Sequence, residues 1–506
     1  MKFLQGNQIK WGIFLSYIQY LVSAVAGLIY IPILIRQLST SEYGIYQLMS
    51  SFMSVLIVMD LGMGGTVTRY YSKYDVSGTA IEKEKFLAIA RLIYAFITIA
   101  LLIVGTIIFV IIEPVYGKTL TLEEINTVKS ILKILVLNTI FIVWSNYYCA
   151  IIQAKEKFVI IKGVLLIRSI LLPVTTIFII SNYPSVVWVY LIQLICSIVI
   201  CLFYHGYCKK RLSIKIKYHG FDRNMLFELT HYSVFLLMNI IVDELYWGTD
   251  SLILGAIKGT AEVAIYGTAS VIVTQYRNFA SVIHGIFLPM LTKIVANGGD
   301  KKEINKIFLK VSKIQFFIVV LIASGFIVFG KEFISLWVGN EYIEVYSLVL
   351  IPMITLIVPL IQSIGISILR ALNKQRFRAV LYLTMAVLNV LFSIPMCYLM
   401  GGLGCVIVTG IFLLIGNTFI MNIYYYKIIQ LNIKAFWVQL LHLFKPALAS
   451  LFIGLSVNSM LPQSISYFSL LFKIIPYFIL YLLLFILFGL SSDEKNYLRG
   501  LLNEFI

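Results

Sequence analysis

The stretch WGIFLSYIQYLVSAVAGLIYIPILI, residues 11–35, carries no charged side chain between Lys10 and Arg36. A helix needs about 20 apolar residues to cross a hydrocarbon core of about 30 Å, so this run is long enough to span a bilayer. It is too long for a signal-peptide core and lacks a cleavage site, which makes it a first membrane span rather than a leader. Thirteen further runs follow at approximately 45–68, 86–112, 130–152, 158–181, 185–205, 229–250, 263–290, 312–329, 345–369, 378–400, 402–425, 443–461 and 468–490. The 506 residues are 60% apolar and only 12% charged, about half the charge of an ordinary soluble domain, so a soluble globular protein is excluded. The expected fold class is an all-α polytopic membrane protein of about fourteen transmembrane helices.

Lys and Arg test that count, because a missed span would scramble their alternation between loops. With edge residues counted in the adjoining loop and the N-terminus inside, cytoplasmic segments hold 29 of the 40 basic residues and outer loops six. Both termini are therefore expected in the cytoplasm. The formal charge of +17 follows from this topology, and no basic domain offers itself to nucleic acid. Trp11, Trp188, Trp337 and Trp437 fall near span ends, where amphipathic rings prefer the headgroup layer. The six cysteines show no disulfide or metal-ligand spacing and read as packing residues.

The chain matches itself at an offset of 220, where Thr40-Ser-Glu-Tyr-Gly-Ile-Tyr-Gln-Leu-Met-Ser50 lies over Thr260-Ala-Glu-Val-Ala-Ile-Tyr-Gly-Thr-Ala-Ser270. At 219, Lys155-Glu-Lys-Phe158 lies over Lys374-Gln-Arg-Phe377. The offset equals six spans, an even number, so the two halves enter the membrane in the same direction as a parallel repeat. The expected organisation is an N-terminal lobe over 1–207, a basic cytoplasmic linker over 208–228, a C-terminal lobe over 229–426, and spans 13 and 14 with a tail over 427–506.

The segments LIRQLSTSEYGIYQLMSSF, LGMGGTVTRYYSKY and DSLILGAIKGTAEVAIYGTAS resemble the bacterial polysaccharide flippases of the multidrug/oligosaccharidyl-lipid/polysaccharide exporter superfamily, and the likeness covers essentially the whole chain. The resemblance implies a cell-membrane protein that moves polyprenyl-diphosphate-linked oligosaccharide from the inner to the outer leaflet by alternating access, for O-antigen, capsule or related glycans. It implies membrane lipids and other polysaccharide assembly proteins as partners. By the same analogy, spans 13 and 14 lie beside the C-terminal lobe and shelter a polyprenyl tail. Lipid II flippases of the superfamily usually carry arginines in span 1, which this chain lacks.

Charges deep in a bilayer are costly and mark bundle interiors or wet cavities. Span 8 carries Ser270, Thr274, Arg277, Ser281 and His284 on one helical stripe, with Arg277 about 20 Å from the outer end at 1.5 Å per residue. A guanidinium there suits a diphosphate, as does Arg168 in span 5. Arg91, Lys133 and Lys162 lie near enough to span ends to snorkel. In span 7, Tyr232, Asn239, Asp243, Tyr246 and Asp250 form a stripe, and the repeat lays Asn239 over Gln19 and Asp243 over Ser23. Asp243, Glu244 and Asp250 are candidates for coupling, with Na+ or H+ as the coupling ion and no other cofactor. Asp60 in span 2 lies close to the depth of Arg277 and is a candidate for a cross-lobe gating pair with it. Leu61-Gly-Met-Gly-Gly65 lacks the Lys-Ser/Thr of a phosphate loop and reads as a bend or close packing. Pro352 and Pro359 are expected to kink span 10, and Pro32, Pro173, Pro289 and Pro395 to bend others.

Two other functions compete. In a cation-coupled multidrug antiporter of the same superfamily, Asp243 would lead and Arg277 would be secondary. An integral membrane acyltransferase, ligase or polymerase would need a catalytic constellation, whereas His205, His219 and His442 lie at or outside cytoplasmic span ends and no large outer loop is present. The chain is therefore not expected to be an enzyme.

Overall fold

The computed structural model describes residues 2–220, 222–296, 300–490 and 495. Those residues form helices and connecting turns, with no strand among them. Ten of the helices are long and apolar enough to cross a membrane, or eleven if the pair Val345–Ile361 and Ile364–Ala371, bent by 41°, is one span. This is fewer than the fourteen expected runs. Expected spans 11 and 12 are continuous in one stretch, Arg376–Ile429, interrupted at Gly401 (φ 58°, ψ −138°). Expected spans 7 and 8 coincide with Arg223–Trp247 and Thr260–Ala296, which are not among the ten and many of whose side chains lie outside the described residues.

The chain divides into two compact units, Met1–Gly267 and Thr268–Ile506. The first contains α1 (Lys2–Gln37), α2 (Thr40–Val58), α3 (Met63–Ser77), α4 (Ala80–Tyr116), α5 (Leu122–Ala154), α6 (Phe158–Asn182), α7 (Val186–Lys210), α8 (Arg223–Trp247), α9 (Thr249–Lys258) and the first two turns of α10 (Thr260–Ala296). Within it α5 packs on α7 and α1 on α6, while α8 and α9 lie against α2, α3 and α4. The second contains the rest of α10, then α11 (Lys301–Trp337), α12 (Val345–Ile361), α13 (Ile364–Ala371), α14 (Arg376–Phe412), α15 (Met421–Tyr424), α16 (Ile433–Met460) and α17 (Tyr467–Leu484). Here α11 packs on α12, α16 and α17.

Local chemistry starts these helices. Thr79 and Thr121 each accept the backbone N–H of a glutamate three residues on, Glu82 and Glu124, whose carboxylates accept the threonine N–H in return. Such reciprocal boxes satisfy donors that a helix start leaves open. Ser39, Asp222, Asp300 and Asn432 cap α2, α8, α11 and α16 with one side-chain oxygen each. The outward faces are apolar: Phe96, Val110, Phe178, Phe419, Phe452 and Phe472 are all exposed. A soluble monomer does not leave so much apolar surface uncovered, whereas lipid requires it. The protein is a multi-pass membrane protein.

The two copies of the repeat each open a helix, α2 at Thr40 and α10 at Thr260. Within the first unit these starts touch. A Cβ on Gly44 would meet the Thr260 carbonyl carbon at 2.6 Å, and one on Gly267 would overlap the stem of Gln47. Gln47 and Gly267 are equivalent positions at the offset of 220, so the motif packs against its own copy. Glu124 Oε1 accepts hydrogen bonds from Ser41 at the start of α2 and from Thr260 Oγ1, the latter at 2.8 Å.

Candidate functional site

About three turns inside the ends of α4 and α6, the first unit carries two arginines that form no ion pair among the described residues. Arg91 lies eleven residues into α4 and Arg168 ten residues into α6, about 16 and 15 Å from those ends at 1.5 Å per residue. Arg91 is exposed and Arg168 partly exposed. Lys162, also partly exposed, sits between Arg168 and the start of α6. Among the described residues none of the three forms an ion pair. Aromatic and thiol groups of α5 and α7 lie within electrostatic reach of them: Tyr147 and Tyr148 of Arg91, Cys149 of Lys162, and Cys196 and Tyr204 of Arg168. Tyr148 meets the His205 ring edge-on at 4.9 Å, and Tyr147 is fixed by a hydrogen bond to the Leu87 carbonyl at 3.0 Å.

A guanidinium held at membrane depth with no carboxylate beside it keeps its donors for something else. Three acids of this unit are paired elsewhere. Asp75 accepts from Lys83 and Lys155 at 3.3 and 2.6 Å, Asp222 from Lys85 at 2.9 Å, and Glu84 bonds His219 at 2.8 Å. The last two of these pairs tie the segment after α7 to the start of α4. Arg91 and Arg168 thus stand at similar distances from their helix starts, with Lys162, like Arg91 presented by the sequence as a snorkelling residue, about one turn into α6. Their only sequence signal is the lack of an acid within a turn on the same helix.

The stripe on α10 belongs to the second unit from Thr268 onward. Thr274 is exposed, and Ser270, Arg277 and the neighbouring Asn278 are partly exposed, so polar groups are accessible near the middle of a 37-residue helix. The side chains of Ser281, His284 and Asn239 lie outside the described residues. On α1, Gln19 is partly buried and points its amide at Ser23 Oγ, 3.5 Å away.

The stripe expected on span 7 is divided by the break between α8 and α9 at Gly248. Asp243 is exposed, and Glu244 beside it is partly buried, with Oε1 out of contact with any donor. Asp250 lies on the far side of the break and is fully buried, accepting the Tyr266 hydroxyl at 2.6 Å. Asp60 is buried at the junction of α2 and α3.

In the second unit, α16 and α17 frame a cavity of about 890 Å³, walled by Phe329, Ile453, Phe468, Phe472, Pro476 and Leu480. At its edge Lys473 reaches both oxygens of Glu332, at 3.0 and 2.9 Å, and Asn458 at 3.2 Å. The space is apolar except for this ion pair and the polar groups of the loop between the two helices.

A family profile described as "Polysaccharide biosynthesis protein" matches residues 9–295. A search of curated protein sequences finds no match. Among solved structures, the chain is similar to lipid II flippase MurJ in an inward closed conformation, with a TM-score of 0.74 and 18% identity, covering 97% of this chain and 100% of that one. It is also similar to an inward-facing multidrug resistance MATE family transporter of the MOP superfamily, with a TM-score of 0.65 and 14% identity over 78% of this chain and 92% of that one. At such identity the likeness establishes a shared fold.

Proposed function

The chain belongs to the polysaccharide biosynthesis protein family, and we propose that it is a flippase for polyprenyl-diphosphate-linked oligosaccharide, working by alternating access in a bacterial cell membrane. The observation that carries the reading is the basic tier of Arg91 and Arg168, with Lys162 nearer the start of α6, all accessible and in no ion pair among the described residues. A diphosphate is a permanent anion that must be met along its path, and planar guanidinium groups match its oxygens with paired, charge-assisted hydrogen bonds. Tyr148, Tyr204 and His205 border that tier and supply faces and donors suited to a sugar. Arg277, with Ser270, Thr274 and Asn278, offers a second set of donors for the same anion in the other unit. The apolar cavity at α16 and α17 has the chemistry to receive an isoprenoid segment. A pocket for cationic drugs would seldom be built around guanidinium groups, which weighs against an antiporter.

The test is a lipid extraction from cells depleted of the protein, scoring polyprenyl-diphosphate oligosaccharide together with surface glycan. Depletion is expected to accumulate the lipid-linked sugar and to strip the surface glycan. The wild type should restore export, whereas Arg91→Ala/Arg168→Ala, present at equal level in the membrane, should leave it reduced by about tenfold or more, as expected when charge-assisted bonds to the cargo are lost. Unchanged lipid-linked sugar with reduced efflux of cationic dyes would overturn the proposal in favour of a drug antiporter.

A further inference from the structure

Between Glu344 and Asp493 the sequence holds eight Lys and Arg but no Asp or Glu, so α12 to α17 contain no carboxylate of their own. Of the acids of α11 and its cap, Glu332 serves Lys473 and Asp300 caps the helix start. Two of the eight cations meet at the turn from α13 to α14. Arg370 lies in the last turn of α13 and Arg378 is the third residue of α14, and the two are within electrostatic reach of each other. The chain between them reverses through Asn373 at φ 54°. Bonds from the Leu372 and Lys374 N–H groups to the Ile368 and Leu369 carbonyls, both 2.9 Å, close that turn. The fold of the turn thus sets two like charges side by side, which is repulsive unless an anion joins them.

Arg378 is positioned further by its neighbours. Its guanidinium lies over the Tyr382 ring, one helical turn on, at 4.6 Å from the centroid. That contact covers one face of the planar group and leaves its in-plane N–H donors for other partners. Among the described residues neither guanidinium forms an ion pair or a hydrogen bond, and Nε of Arg378 is buried without an acceptor. A buried donor left open in this way calls for an explanation. The buried ring of Tyr425 is within electrostatic reach of Arg378 and Tyr382 and brings a hydroxyl but no counter-charge. It opens a π-helical turn, Tyr425–Ile429, an irregularity frequent at functional positions. Gly365 of α13 makes room for it, since a Cβ there would meet the Tyr425 hydroxyl at 2.6 Å.

We propose that Arg370 and Arg378 form a binding site for a phosphate-bearing anion at the turn between α13 and α14. Two planar guanidinium groups match phosphate oxygens with paired, charge-assisted hydrogen bonds, and the anion removes the repulsion between them. Arg370 is exposed and Arg378 partly exposed, and Lys374 and Arg376 in the intervening segment are exposed as well, so the approach is basic throughout. Arg378 stands within one turn of the end of a 37-residue helix. At that level both the headgroup of an anionic phospholipid and a free phosphate have access, and basic pockets at the ends of membrane helices suit acidic headgroups. The site does not depend on the flippase reading.

The experiment uses the purified full chain in detergent, with two probes that separate the sources. Dioleoylphosphatidylglycerol is scored as retained lipid by native mass spectrometry against neutral dioleoylphosphatidylcholine, and sodium pyrophosphate is titrated by calorimetry. The wild type should bind at least one of them. Arg370→Gln/Arg378→Gln should weaken that binding about tenfold or more, as expected when hydrogen bonds to a charged group are lost. Lys434→Gln, which removes an exposed cation at the start of α16, should leave it unchanged. Binding of phosphatidylglycerol alone supports a site for the membrane's own lipid, and binding of pyrophosphate supports one for an anion from solution. Wild type and double variant alike towards both probes would overturn the site, as would an equal loss in Lys434→Gln, the mark of a general surface-charge effect. Should the double variant not fold, Arg370→Gln at the exposed end of α13 decides: unchanged affinity for both probes overturns the site equally.

Discussion

Replacing Lys473 by Met tests how the second unit holds α17. The ammonium and its partner are almost fully withdrawn from solvent, with side-chain exposures of 8% for Lys473 and 12% for Glu332. Lys473 makes three contacts, two to Glu332 of α11 and one to Asn458 of α16, and Glu332 also accepts the Ser464 N–H at 3.1 Å. Deleting one member of a buried pair leaves the other as an uncompensated charge, at a cost of about 3–5 kcal/mol. Replacing both with apolar residues of similar volume removes the charge as well as the pair and is often close to neutral. The expected order is therefore Lys473→Met far less stable than wild type, and Lys473→Met/Glu332→Leu nearly restored. The Lys129–Glu113 pair is an internal control, because Glu113 is 65% exposed and exposed pairs contribute at most about 1 kcal/mol. Denaturant unfolding of the purified variants, read by tryptophan fluorescence, gives the comparison. The reasoning fails if Lys473→Met costs no more than Lys129→Met, or if the double variant is as unstable as the single one.

Gly44→Leu should separate the starts of α2 and α10, since even a Cβ meets the Thr260 carbonyl carbon at 2.6 Å; a loss of about 1–3 kcal/mol is expected from overpacking, measured by the same unfolding assay. Gly27→Leu, where a Cβ meets nothing within 4 Å, should leave stability unchanged. Gly62→Ala should lower stability by about 1 kcal/mol, because Gly62 holds φ 67° and a Cβ is strained in left-handed backbone; an unfolding midpoint equal to wild type would show that the turn relaxes freely.

Much of the architecture is legible because the bilayer allows so few solutions. Every backbone group must be satisfied inside its own helix, so long apolar runs become helices, and the threonine and glutamate pairs at 79/82 and 121/124 mark two of their starts. The repeat was readable from Thr40 and Thr260, both of which open helices. The Leu61–Gly65 stretch was readable as a bend. What escaped is set by neighbours distant in sequence. The neighbours within electrostatic reach of Arg91 include Tyr147 and Tyr148, some 55 residues away. The stripe of Asn239, Asp243, Tyr246 and Asp250 assumes one unbroken helix, and the interruption at Gly248 separates its last member from the rest. Gly248 is closely backed by the Glu244 carboxylate, a contact invisible to a periodicity argument.

Asp60 and Asp250 show why such differences matter for function. Both are acids in apolar spans, both are buried, and both sit beside a tyrosine and a break in the helix. Helical spacing gives them the same standing. The structure gives them different neighbours: Tyr266 donates to Asp250 at 2.6 Å, whereas Asp60 lies at the break in span 2 beside Tyr94 and Asn146. A carboxyl that accepts a short bond is already partly stabilised in place, and changing its charge would disturb a packed contact between α9 and α10.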